Sequence, residues 1–519
     1  MNNTLKMSMV AAVAIVMIVS IIPIINGNST DGAETLTPVE LDSKYLIESE
    51  YALDDGKAYT LKENLNLGSN YIKLAGSLTF DLAGHFITST NNNLLTINTL
   101  NGIGTVTITD SIGGGLVKTT GDTAIRNNGN LVITGGSFEG NNYAIYQPSN
   151  GKSLKIIDGS FEANRALYIE GGTVTIEDCD INGTTAGIRV SVPNGPIDSS
   201  SFINPVITVN DGNITGDFGI VVEGRSNSSF DTTLTVNGGI ITGNNGSSVS
   251  GNGLRDNTHI VINDGILTGH NNPGIYHPQS GDITVNGGTI TGEGGIQFCG
   301  SGSLTITGGT IRGTYDSVDT PEKPNDQNDG AIVDGSAVSI VSRGSGYQDN
   351  GATIKVTITG GTFISNNNSP ISSYRFQKSG NDWVNNDDTN LESSIEYVKI
   401  KGGYFEGPIN KPSIDFDKSQ DSVGKYSISG GTFTGAIEQS FIENGSDIKE
   451  NSDGSFSVID EPNTPPLPTW DDDDDYIPPI YVPSQTTDDD DTVKIVACAA
   501  AAVVAAMMAA FLILGQKKD

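Results

Sequence analysis

The stretch 283–292 reads "ITVNGGTITG", and its reading decides the fold. Ile283 and Val285 point one way while Thr284 and Asn286 point the other, the period-two alternation of a half-buried strand. The next apolar residue is Ile290, five after Val285. Five is odd, so a straight strand would carry Ile290 to the wrong face. The chain must turn between them, and Gly287-Gly288 supplies a pair that tolerates corner angles. The ten residues predict strand, glycine corner, short strand.

Working outward, copies of this motif begin at Leu131, Leu154, Val174, Ile207, Leu234, Ile260, Ile283, Leu304, Val356, Val398 and Tyr426, with a weaker one at Val106. The motif is constant while its spacing varies from 20 to 52 residues. A solenoid whose coils share one wall and differ in their loops has this signature. Between copies runs a second motif: "AIYQPSNG" (144–151), "ALYIEGG" (166–172), "GIRVSVPNG" (187–195), "GIYHPQSG" (274–281), "GIQFCGSG" (295–302). A small residue, an aliphatic one and a turn cluster predict a third short strand. Three short strands cannot bury a core alone, but stacked coils share one interior. At about 4.8 Å per coil, roughly fifteen coils give a rod of about 70 Å. Helices are excluded by the glycines, each costing a helix interior about 1 kcal/mol.

The "LTITGGTI" coils, with "LTFDLAGHFITS" at 78–89, resemble the pectate-lyase-like right-handed parallel β-helix superfamily. The layout also resembles the adhesin-like surface proteins of prokaryotes, methanogenic archaea included. The resemblance implies an all-β fold: a right-handed parallel β-helix with an N-terminal signal segment and a C-terminal transmembrane helix. The boundaries expected are a signal peptide at 1–27, a cap region at 28–66, the β-helix at 67–458, an acidic stalk at 459–492, a membrane helix at 493–515 and a cytoplasmic tail at 516–519.

The ends and the charge fit that layout. Lys6 precedes an apolar run from 7 to 25, as in a secretory signal. Residues 495–514 are twenty uninterrupted apolar residues, enough for one membrane span. Lys517 and Lys518 follow and favour a cytoplasmic end. The stalk "EPNTPPLPTWDDDDDYIPPIYVPSQTTDDDD" is rich in Pro and Asp, which favours an extended, self-repelling spacer. Its Asp runs lack the converging ligands and turn residue of a calcium loop. With 28 Lys plus Arg against 61 Asp plus Glu, the net charge is −33, which makes nucleic acid a poor partner. Cys179 and Cys299 are separated by several coils, beyond disulfide reach.

The superfamily's lyases and hydrolases imply clustered acids, a basic residue or paired carboxylates. Such residues occur singly here, and no catalytic residue, cofactor or metal ligand is assigned. His85, His259, His270 and His277 are scattered and are expected at exposed turns or strands. Arg189, Arg225 and Arg255 recur near the third strand as a sparse surface ladder. Outward Thr and Asn residues are expected to stack for structural reasons. Two insertions, 314–353 and 366–397, break the coil rhythm, and long loops on rigid scaffolds often bind. The second carries the expected ligand-binding residues Tyr374, Arg375, Phe376 and Trp383, since aromatic faces beside Arg suit sugar rings and protein hot spots. The expected function is that of a membrane-anchored surface protein, its β-helix outside, binding an extracellular glycan or partner cell without catalysis. An envelope-tethered polysaccharide lyase or glycoside hydrolase, and a structural envelope component, are the alternatives.

Overall fold

A computed structural model describes residues 37–100, 102–191, 202–223, 231–251, 257–316, 331–343, 352–379, 382–385, 394–416 and 425–460, with 377–379 and 382–385 as backbone only. The chain divides into the units Met1–Pro462 and Asn463–Asp519, and every described residue lies in the first. The expected signal segment, membrane run and tail lie outside the described residues, as does the stalk beyond Asp460. Among the described residues, no helix is long and apolar enough to cross a membrane.

The quoted motif folds as its alternation demands. Gly281–Val285 and Thr289–Gly292 are separate strands, and Ile296–Phe298 is the third of the same coil. Each pairs in parallel with its counterparts in the coils on either side. Three parallel sheets result, wrapped around one interior. The register brings like onto like: Ile260, Ile283 and Leu304 in the first sheet, Leu267, Ile290 and Ile311 in the second, Ile275, Ile296 and Val338 in the third. All nine are buried. Each contributes about 1.5–3 kcal/mol of apolar burial, so one continuous core runs through the stack.

The first corner requires glycine for two reasons. Gly288 has φ +79°, a region that side chains with a Cβ rarely adopt. A Cβ there would also stand 2.8 Å from the Gly265 carbonyl oxygen of the preceding coil. Just before the corner runs an asparagine ladder. Asn286 Nδ2 donates to Asn263 Oδ1 at 2.8 Å, Asn263 to Asn237 at 2.7 Å and Asn237 to Asn210 at 2.8 Å. The ladder ends on Glu177, which Asn210 reaches at 2.8 Å and Lys155 at 2.9 Å.

The glycine of the second motif has its own cause. A Cβ on Gly274 would stand 2.8 Å from Ile290 Cγ2, and one on Gly295 2.5 Å from Ile311 Cγ2. The third strand starts where an inward isoleucine of the next coil fills the space.

One expectation is corrected. His277 is not at an exposed turn but is fully buried. It follows inward Ile275 and outward Tyr276, so it takes the next inward place in the strand and stacks on Phe298 at 5.0 Å. Its Nε2 lies 3.0 Å from the Thr258 hydroxyl, and Thr258 Oγ1 donates to the Ser280 carbonyl. Nε2 therefore carries the proton, while Nδ1 has no partner. Burial pushes its pKa down to about 3.

Parallel pairing starts at Val39–Leu41, paired with Ala58–Leu61, upstream of the recognisable copies. The short helix Ser43–Glu48 is capped by Asp42, which accepts from the Tyr45 amide at 2.8 Å, and buries Leu46. At the other end Phe456–Asp460 pairs antiparallel with Tyr426–Phe433 and with Ser446–Glu450. That reversal closes the sheet edge instead of leaving it as a template for another strand.

Candidate functional site

The outer face of the third sheet holds a grouping of aromatic and charged side chains. Its strands Thr123–Asn127, Tyr143–Gln147, the end of Ser153–Ile169, the end of Asp180–Ser191 and Phe218–Glu223 stack in register. The pairing places Arg126, Tyr146, Tyr168, Arg189 and Val221 in one outward column. Tyr143 stands beside it, 4.8 Å from the Tyr168 ring and 5.6 Å from Tyr146, and Tyr146 lies 5.8 Å from Tyr168. The Arg126 guanidinium sits 4.8 Å from the Tyr146 ring centroid, a cation–π distance.

The three tyrosines are half-buried, so each keeps part of a ring in solvent. Tyr146 Oη donates to Glu170 Oε2 at 2.9 Å. Burial holds the Glu170 carboxyl above its usual range and, with the Glu170 charge, holds the Tyr146 phenol up. At the next coil Arg189 is paired with Glu223, Nε to Oε2 at 3.0 Å and Nη2 to Oε1. Of the expected arginine ladder, Arg189 is therefore half of an ion pair, and Arg225 and Arg255 lie outside the described residues. Past the pair opens a cleft of about 190 Å³, walled by Phe218, Val221 and Tyr276.

Further along, the same face is covered. Ala331 and Ile332, from the first insertion, pack on Tyr276, Cys299, Val341 and Phe376. The Ile332 amide donates to Gln297 Oε1 at 2.6 Å. Beneath lies Asp334, 2 % exposed. It accepts from Tyr374 Oη at 2.7 Å, Ser339 Oγ at 2.9 Å and the Ser336 amide at 3.0 Å. Burial holds its carboxyl above the usual range.

The four expected ligand-binding residues are thus placed as follows. Tyr374 points its hydroxyl into the Asp334 network, Phe376 is 2 % exposed inside the covered cluster, and Arg375 is 4 % exposed. Trp383 lies on the strand Asp382–Asn385, antiparallel to Ile371–Ser379 and opposite Lys378. Tyr374 and Phe376 thus pack against the sheet and its cover. The tyrosine group was missed because "AIYQ" and "ALYI" read only as strand; its signal is an aromatic residue right after the buried Ile or Leu in successive coils.

A second, polar cleft of about 620 Å³ opens near Glu139, Asn141, Asn142, Glu162 and Asn164. Several of its groups are already engaged: Glu139 with Lys118, Asn142 with Asp122, and Asn164 with Thr184 and Thr185. Among the described residues, no three His, Cys, Asp or Glu side chains converge as a metal site. Cys179 and Cys299 are buried thiols outside any disulfide, and burial raises the Cys179 thiol pKa.

No protein-family model, no curated protein and no solved structure matches this chain.

Proposed function

We propose that this protein is an anchored cell-surface protein that binds glycans along the outer face of its third sheet and does not turn them over. The tyrosine group with its flanking arginines carries the reading. Aromatic faces stack on the apolar faces of sugar rings, and we take for each ring the value of an aromatic–aromatic stack, about 0.5–1.5 kcal/mol beyond its buried area. The coils repeat at about 4.8 Å, close to the advance of one residue in an extended glycan. A chain lying along the column meets a new side chain at each coil. The finer parts of the reading rest on sequence: a right-handed helix of the pectate-lyase-like kind, an adhesin-like layout, export by the N-terminal segment and anchoring by the run 493–515.

The test is a glycan array probed with the full-length protein, wild type beside a Tyr146→Ala, Tyr168→Ala double variant, with product assays on the bound glycans. The reading expects retention by the wild type, loss in the variant, and no new reducing or unsaturated ends. Release of such ends establishes the lyase or hydrolase alternative. Retention by neither protein leaves the structural-component alternative. Trp383→Ala, run in parallel, reports on the second insertion as a separate attachment point.

A further inference from the structure

The cleft beyond Arg189 has features that the tyrosine group does not explain. Its two charged side chains, Arg189 and Glu223, are bound to each other through two contacts. Each cancels the other, so an ionised ligand group would enter without a partner of its own. Its walls are Phe218, Val221 and Tyr276, with small Ala186, Ser250 and Gly251 at its base.

Asn272 also lines the cleft. It is 2 % exposed, and its Nδ2 has no acceptor among the described residues. A buried donor without a partner is costly, so its presence at a cleft wall is informative. The turn that carries it is constrained. Asn271 has φ +60° and its Nδ2 donates to Asn245 Oδ1 at 3.0 Å. Asparagine tolerates that region better than most residues, so the turn is stable and Asn272 is held against the cleft.

We infer that this cleft binds one neutral pyranose ring, the terminal or branch sugar of a glycan lying on the tyrosine column. The inference rests on the glycan-binding reading and narrows its ligand class. Phe218 and Tyr276 face the apolar side of the ring. Asn272 Nδ2 donates to a ring hydroxyl oxygen, and the outer lone pairs of Glu223 accept from hydroxyl protons. Arg189 holds the Glu223 carboxylate in place through its two contacts. A uronic acid fits poorly, because its carboxylate meets Glu223 and finds no unpaired cation among the described residues that line the cleft.

The test is saturation-transfer NMR on the full-length protein with methyl glucoside, methyl galactoside, methyl mannoside and methyl galacturonoside as probes. At least one neutral probe is expected to show transfer and the uronoside none. Asn272→Ala is expected to weaken that binding about ten-fold, the cost of one lost hydrogen bond in a desolvated site. Val221→Trp, a change at a half-buried outward position, is expected to abolish it by filling the cleft, with an unchanged circular dichroism spectrum. Preference for the uronoside, or neutral-probe binding untouched by both substitutions, overturns the inference. If no monosaccharide binds while the array glycan is still retained through Tyr146 and Tyr168, the cleft assignment fails and the glycan-binding reading stands. If neither binds, both fail.

Discussion

At the level of single residues, two positions show how the coil constrains its chemistry. Gly288 combines φ +79° with a neighbouring carbonyl 2.8 Å from where a Cβ would sit, whereas Gly56, with φ +74°, has open space there. An alanine at Gly56 bears only the left-handed backbone cost of about 1–2 kcal/mol. At Gly288 it also forces the coils apart. Gly288→Ala is expected to lower the denaturant midpoint clearly more than Gly56→Ala, and equal midpoints would contradict the stacking argument. His277 gives a pH prediction. Unfolded, its pKa is about 6.5; folded, burial lowers it to about 3. Between those values the unfolded chain binds the extra proton, so stability is full above pH ~6.5 and falls as pH drops, by about 1.4 kcal/mol per unit. His277→Phe, which keeps the stack on Phe298, is expected to remove that slope. Urea titrations of both proteins at pH 7 and 4.5 check it, and parallel pH profiles would refute it.

At the level of elements, the three sheets differ in how openly the sequence announced them. Strand, corner and strand were legible because "VNGG" pairs an outward Asn with a positive-φ glycine, as at Asn237 with Gly239 and Asn286 with Gly288. The third strand was legible through its leading glycine, which packs on the isoleucine of the next coil. The outer face of that strand was not. Tyr146 and Tyr168 lie 22 residues apart and Tyr168 and Arg189 21, but Arg189 and Val221 are 32 apart. Only the paired register shows that they share a column. The packing of the insertions was not legible for a related reason. Their composition suggested open loops, but Ile332 and Ala331 are apolar enough to fold back and cover Val341 and Phe376, and Asp334 knits the segment to Ser339 and Tyr374. Asp334→Asn brings amide hydrogens up against donors in that network, at a cost of about 1–3 kcal/mol. Hydrogen exchange at 331–343 is expected to quicken in this variant while exchange at 281–306 stays unchanged. Equal protection in wild type and variant would show that the segment is held by its apolar contacts alone.

For the whole molecule, the repeat supplies a uniform stack of coils, and the proposed binding surface lies on one of its faces. A net charge of −33 keeps such a surface soluble and repels other anions, which agrees with a neutral glycan as ligand. Export and anchoring belong to the proposal and have their own check. Removing residues 493–519 is expected to release the protein into the medium, and its retention in the membrane fraction would move the anchor to the N-terminal segment. The central claim is that the third sheet's tyrosine column is the binding surface. Isothermal titration of one array-selected neutral glycan into wild type and into Tyr146→Ala, Tyr168→Ala tests it most directly. Loss of two stacking rings at about 0.5–1.5 kcal/mol each predicts a roughly 5- to 140-fold weaker Kd with an unchanged thermal midpoint. An unchanged Kd would place the binding surface elsewhere and contradict the account.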